Sequence, residues 1–331
     1  MKHILILGTG GTIACEPGED GLTPSINSDV MVNLLKGLER YYRIEFKTIL
    51  NLDSSNIQME EWSLIAKHVY ESVDKYDGIV ITHGTDTMAY TASVLTYILQ
   101  GINKPVILTG SQLPLIHPMS DAPANLSLAL AAVEQGIRGV NIAFHHKVIK
   151  GCRAVKVRTM GFDAFESVNH PYLAELSAGG LKKVWHTKKH GDEMTAGFYP
   201  ELCNDVFLLK LIPGTNPQIF DALLSMRYQG VVIEAFGVGG LQFMRRDLSE
   251  KIRQLVDCGT TVVVCSQCLY ETSDFSVYEV GRKVLSVGAV PGWDMTTEAC
   301  ITKLMWALGQ TKDMDEIRKI FDTNYAGEIS K

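Results

Sequence analysis

Ile4-Leu5-Ile6-Leu7 runs into Gly8-Thr9-Gly10-Gly11-Thr12, and Gly78-Ile79-Val80-Ile81-Thr82 runs into His83-Gly84-Thr85-Asp86-Thr87. Both are apolar strands delivered into polar, glycine-containing loops. The second run is near-continuously apolar, the mark of a strand buried on both faces of a parallel sheet. Ligands of such sheets bind at the carboxyl edge. Two hydroxyls and a carboxylate therefore converge there on one cleft.

Outward from these two runs, strand and helix alternate along most of the chain, which implies right-handed crossovers and a mainly parallel sheet. Trp62, Ile65, Val69 and Val73 recur at helical spacing. Helices are expected from Thr87 to Gly101 and from Asn125 to Gln135, with strands at 46–50, 105–109 and 140–144. Lys147-Val148-Ile149-Lys150 and Arg153-Ala154-Val155-Lys156-Val157 flank Gly151-Cys152 and read as a β-hairpin. Alternation there sets Lys156 on the face opposite Val155 and Val157, either exposed or aimed into a cleft.

Periodicity fails between about Leu181 and Asn204, then restarts with strands at 206–211, 231–235 and 261–265 and helices between and after them. The expected architecture is α/β: a larger N-terminal doubly wound, mainly parallel sheet domain with a β-hairpin, and a smaller C-terminal parallel α/β domain. The boundaries expected are 1–184, a linker at 185–204, and 205–331.

With 331 residues, 46% of them hydrophobic and 21% charged, the chain is long enough for two cores and too apolar to be disordered. A net charge of −6 and the lack of a dense basic block exclude an electrostatic nucleic-acid surface. The apolar run after Met1 is too brief for a signal peptide, and no stretch approaches a membrane span, so a cytoplasmic protein with no membrane partner is expected. Seven cysteines, an odd number, then argue for reduced thiols. Cys265-Ser266-Gln267-Cys268 has zinc or redox spacing, yet lacks a second pair of ligands; a small apolar side chain at a strand end is the simpler reading.

Gly8-Thr9-Gly10-Gly11-Thr12-Ile13 fails the dinucleotide fingerprint at Ile13, and no phosphate-cradle lysine follows. Its glycines let backbone N–H groups approach an anion or a polarised carbonyl. Thr85-Asp86 reads equally as the cap of a following helix. No Ser-His-Asp arrangement is visible, so a threonine nucleophile needs another base. A lysine whose pKa is lowered by burial, positioned by a carboxylate, can serve, and Lys156 is the candidate by location. Asp53-Ser54-Ser55 offers groups for a small polar substrate, or a helix cap.

Gly10-Gly11-Thr12-Ile13-Ala14 and Thr82-His83-Gly84-Thr85-Asp86-Thr87-Met88, in this order, resemble the two signatures of bacterial and archaeal L-asparaginases. Thr109-Gly110-Ser111-Gln112, Ser120-Asp121, Gly161-Phe162-Asp163-Ala164-Phe165, Gly237-Val238-Gly239-Gly240 and Asp294-Met295-Thr296-Thr297-Glu298-Ala299 resemble the cytoplasmic, type I branch, so the likeness covers essentially the whole chain. The resemblance implies hydrolysis of L-asparagine to L-aspartate and ammonia, without metal or organic cofactor. It implies Thr12 as nucleophile, Thr85, Asp86 and Lys156 as a catalytic cluster, and Asp53, Ser54, Ser55, Thr85 and Asp86 as substrate contacts.

It also implies a homodimer or homotetramer in which a neighbour's smaller domain completes each site, near Asp274. In some type I enzymes a second asparagine site is allosteric; Glu234 to Gly237 and Cys268 lie in the corresponding region. One departure stands out. Where many members carry a lid tyrosine, this chain has Leu22, within a loop 15–24 that reads as a lid. Two rivals share the motifs: the amidase component of a tRNA-dependent amidotransferase, which normally carries an extra N-terminal module, and a non-catalytic asparagine sensor.

Overall fold

The computed structural model describes residues 1–18, 21–24, 29–184, 196–273, 275 and 279–330, with backbone alone at 14–18, 21–24, 29–32 and 279–280. The chain divides into two compact units, Met1–Pro200 and Glu201–Lys331.

The first unit opens with β1 (Lys2–Gly10), a hairpin of β2 (Cys15–Gly18) and β3 (Gly21–Pro24), α1 (Asp29–Leu38) and β4 (Tyr42–Leu52). Then come α2 (Met59–Ser72), β5 (Gly78–Thr82), α3 (Met88–Ile98), β6 (Pro105–Thr109), α4 (Ala122–Glu134) and β7 (Gly139–Phe144). It ends in short strands: β8 (Lys147–Lys150), β9 (Ala154–Lys156), β10 (Phe165–Ser167), β11 (Ala174–Ser177) and β12 (Gly180–Lys183). Among the described residues the main sheet has the order β12-β11-β8-β7-β6-β5-β1-β4. Strands β4, β1, β5, β6 and β7 run parallel, and β8, β11 and β12 each pair antiparallel with the strand before them in the sheet, so that only β8 and β12 run against the parallel set.

This order explains where a site can form. From β1 the chain moves outward to β4, then crosses to β5 on the other side of β1, so the winding reverses at β1 and opens a crevice at its carboxyl end. Both faces of the central strands are covered. Ile4, Ile6, Val80 and Ile107 pack with α1 and α4 in one core cluster, while their alternate neighbours Leu5, Leu7, Ile79, Ile81, Val106 and Leu108 are equally buried.

The hairpin expected between residues 147–150 and 153–157 does not form. β8 turns back on β7 instead, through His145 and His146, both at positive φ, and β9 pairs with β10 in a separate two-stranded sheet. Between them Gly151–Arg153 makes a 3-10 turn, and Gly151 sits so close to Val140 O and to Ala92 that a side chain would overlap them. This close packing turns the chain out of the main sheet and carries Lys156 away from β8.

In the second unit β13 (Val206–Lys210), β14 (Gly230–Ala235), β15 (Thr261–Ser266) and β16 (Val290–Pro291) form a parallel sheet in sequential order. Helices α5 (Gln218–Met226), α6 (Leu248–Asp257) and α7 (Glu279–Ser286) share one apolar cluster with it. Against the sheet also packs α8 (Thr297–Gln310), followed by α9 (Met314–Asp322). Cys265 ends buried in β15 with its thiol beside that of Cys300 on α8. A buried ion pair joins Lys303 of α8 to Glu328, 2.6 Å apart, and Lys303 also donates to Thr323 O at 2.8 Å. Glu328 in turn accepts the N–H groups of Tyr325 and Ala326, so residues 323–328 are clasped against α8.

Candidate active site

Three loops meet at the carboxyl ends of β1, β4 and β5, and glycines let them. Gly11, at φ +76°, lies so near Gly84 that a Cβ on it would stand 2.3 Å from Gly84 N; its own N–H donates to Leu52 O at 2.9 Å. A Cβ on Gly84 would stand 2.6 Å from Ser54 Oγ. Backbone contact of this kind excludes any side chain and draws residues 8–12, 52–55 and 83–87 together.

Onto these loops β9 brings Lys156. Its ammonium donates to Thr85 Oγ1 at 2.9 Å and to Asp86 Oδ1 at 2.5 Å, across some seventy residues of sequence. The Lys156 side chain is 15% exposed and that of Asp86 65%, so the pair spans the boundary between interior and solvent. Since Lys156 can only donate, Thr85 turns its own proton to Gln112 Oε1 at 3.2 Å. The Gln112 amide is oriented for this by donating to Gly161 O at 3.0 Å and Thr159 O at 3.2 Å. Asp121 fixes the turn, accepting from Gln112 N and Leu113 N, each at 3.1 Å.

The capping alternative for Thr85 and Asp86 is set aside by this geometry. The N-cap of α3 is Thr87, without a side-chain cap bond; its hydroxyl donates to Ser54 O at 2.7 Å. Asp53, by contrast, does cap: it accepts from Ser55 N at 2.8 Å and from the Ser55 hydroxyl at the start of a 3-10 turn over Ser54–Asn56. These two bonds hold its carboxyl below the usual carboxylate range. Ser54 is buried at the meeting of the loops, and Thr12 follows Gly11 at the start of a 3-10 turn over Thr12–Ala14.

Thus Thr12, Asp53, Ser54, Ser55, Thr85, Asp86 and Lys156 all lie on the converging loops or reach them. The side chain of Leu22 and all of Asp274 lie outside the described residues. Two residues carry no assignment from sequence pattern. Gln112 sits just past β6, the next parallel strand after β5, so its place at the same sheet edge was the available signal. His83 is fully buried, and burial pushes its imidazole down to about 4, leaving it neutral. Among the described residues no group of three or more His, Cys, Asp and Glu side chains could hold a metal ion, and no helix is long and apolar enough to cross a membrane.

A family model described as "Asparaginase, N-terminal" matches residues 3–189, and one described as "Glutaminase/Asparaginase C-terminal domain" matches residues 205–321. The L-asparaginase of Thermococcus kodakarensis is 44% identical over 99% of both chains. Its solved structure superposes with a TM-score of 0.93 at 42% identity, again over 99% of each chain. L-asparaginase I from Vibrio cholerae superposes with a TM-score of 0.90 at 29% identity, covering 100% of this chain and 99% of the other. A glutamyl-tRNA(Gln) amidotransferase component from Pyrococcus abyssi is 32% identical over 100% of this chain and 77% of its own length.

Proposed function

The chain belongs to the asparaginase family, and from that premise we propose that it is a cytoplasmic amidohydrolase converting L-asparagine to L-aspartate and ammonia. The observation that carries the reading is the Lys156–Thr85–Asp86 cluster held against the loop that bears Thr12. Thr12 Oγ attacks the side-chain amide carbon, the C–N bond breaks, and ammonia leaves with an added proton, giving a threonine ester. Water then attacks the ester, returning the proton to Thr12 and releasing aspartate. Lys156 and Thr85 move protons in these steps, because a hydroxyl that both accepts and donates relays a proton without changing charge.

Asp86 engages Lys156 through one oxygen, leaving the other for the substrate's α-ammonium. Asp53, Ser54 and Ser55 meet its α-amino-acid end. Holding the non-reacting end fixes the amide carbon against Thr12, so remote binding becomes orientation. Backbone N–H groups near Thr12 and Thr85 receive the oxyanion. The reading extends to a homodimer or homotetramer whose smaller unit completes a neighbour's site.

Ammonia release from L-asparagine, L-glutamine and D-asparagine, measured for the wild type and Thr12→Ala, tests it. Rapid release from L-asparagine that Thr12→Ala abolishes while remaining folded is the expected result. Equal release by the two proteins would sink the nucleophile assignment. Release that requires a second protein component and charged tRNA would favour the amidotransferase reading, and binding without hydrolysis the sensor.

A further inference from the structure

A buried chain of hydrogen bonds enters the loop after β5 from behind. Trp62 Nε1 of α2 lies 2.9 Å from Thr91 Oγ1 of α3, Thr91 Oγ1 lies 2.9 Å from His83 Nε2, and His83 Nδ1 lies 2.7 Å from Gly84 O. Their direction follows from chemistry. A carbonyl only accepts, so His83 Nδ1 carries a proton. The imidazole is neutral, so Nε2 presents a lone pair, and the Thr91 hydroxyl donates to it. The indole N–H, a donor only, completes the chain by giving its hydrogen to Thr91 Oγ1. Each link runs one way, from α2 to the Gly84 carbonyl, and Thr91 and His83 are wholly removed from solvent.

The last link fixes more than a carbonyl. Gly84 C=O and Thr85 N–H belong to one planar trans peptide unit, with the two bonds pointing in opposite directions. Pinning the oxygen inward therefore aims the N–H outward. Thr85 N–H donates to no acceptor among the described residues, although Thr85 itself is buried. An N–H so placed is held ready for an acceptor that the described residues do not supply. Neighbouring contacts keep the unit from tilting: His83 N donates to Thr109 O at 2.8 Å, and Gly11 abuts Gly84 N.

We infer that Trp62, Thr91 and His83 form a positioning chain that orients the Thr85 N–H as the oxyanion donor of the amide hydrolysis proposed above, on which this inference rests. Preorganised N–H groups act on the charge that develops in the transition state, not on the bound substrate. Disturbing the chain should therefore lower kcat and spare KM.

The test compares Thr91→Val, which removes the hydroxyl at nearly constant shape, with Thr91→Ser, which keeps it. Thr91→Val should lower kcat about tenfold with KM within about twofold, and Thr91→Ser should restore kcat to within about twofold of wild type. A merely structural threonine would lower the melting temperature of the Val variant without this split, and an unchanged kcat in folded Thr91→Val would overturn the inference. Nitrogen-15 spectra of labelled histidine and of the Thr85 amide give a reading independent of turnover. They should report the Nδ1–H tautomer for His83, and a Thr85 amide resonance displaced by Thr91→Val and returned by Thr91→Ser. An Nε2–H tautomer, or an unmoved Thr85 amide, would also overturn it. If the wild type released no ammonia, the activity reading would fall, while these spectra would still decide whether the chain orients the amide.

Discussion

Replacing Lys156 by methionine is expected to remove nearly all turnover while leaving the fold in place, because the two consequences draw on different parts of its environment. On the stability side, the variant loses two hydrogen bonds, to Thr85 at 2.9 Å and to Asp86 at 2.5 Å. Asp86 is 65% exposed, so its carboxylate is rehydrated when the ammonium goes, and methionine still occupies the room of the lysine stem. Such a loss costs about 1 kcal/mol or less. On the catalytic side, a positioned proton carrier contributes roughly 10²–10⁴ in rate, or about 3–5 kcal/mol of barrier at 1.36 kcal/mol per decade. Coupled ammonia release at saturating L-asparagine, with circular dichroism melting beside it, separates the two. Lys156→Arg is the companion variant: it keeps the charge but does not give up a proton near neutral pH. Both variants should fold, and both should lose at least about a hundredfold in kcat. Turnover within threefold of wild type in a folded Lys156→Met, or recovery by arginine, would refute proton transfer by this lysine.

Two further substitutions probe the framework. Gly11→Ala must place a methyl group 2.3 Å from Gly84 N at φ +76°, so about 1–2 kcal/mol of backbone strain adds to a direct overlap, and kcat/KM should fall more than about tenfold; Gly37→Ala, whose Cβ would meet nothing within 4 Å, is the neutral control in the same assay. In the second unit, Lys303→Met leaves Glu328 buried without its cation and should cost about 3–5 kcal/mol in chemical denaturation, with Lys303→Met/Glu328→Leu recovering part of it. Burial alone would raise the Glu328 carboxyl, but Lys303 and the Tyr325 and Ala326 N–H groups outweigh it and hold the carboxyl below its ordinary 4.5. A lowered folded-state pKa means that this stabilisation is present above about pH 4.5 and is lost as the pH falls through the lower folded value. Melting temperatures between pH 6 and 3 should accordingly fall more steeply for wild type than for Glu328→Gln, and parallel curves would count against the clasp.

Much of the architecture is legible along the chain because burial leaves a local imprint. β5 and β6 coincide with their expected spans, 78–82 and 105–109, since strands covered on both faces must be apolar throughout. α8 and α9 lie within two residues at each end of 296–308 and 315–321, the spans that their periodicity suggests. The edge strand β4 is less legible: it extends over Tyr42–Leu52, well beyond the 46–50 its composition suggests, because half of it faces solvent and tolerates Arg43, Glu45 and Lys47. The turn between β7 and β8 uses His145 and His146 at positive φ, positions where glycine or asparagine is the usual signal, so the sequence points one turn too late. The helix α4 likewise begins at Ala122, ahead of its first strongly apolar residues.

For the site, motif and spacing alone nominate Thr12, Thr85, Asp86 and the 53–55 segment, since strand-loop junctions of a parallel sheet open on one edge whatever the details of packing. Family membership follows from the same local signatures. What tertiary structure alone decides is which polar groups meet. Lys156 reaches Thr85 because a 3-10 turn carries β9 out of the main sheet, and no periodicity encodes that displacement. Gln112 acquires its partners Thr85 and Gly161 from loops 27 and 49 residues away, and the buried His83 meets Thr91 only because α3 folds back over the loop that carries it. The physical reason is one of range: apolar burial is a property of each segment and repeats along it, whereas a hydrogen bond exists only once two segments are brought within about 3 Å in the right orientation.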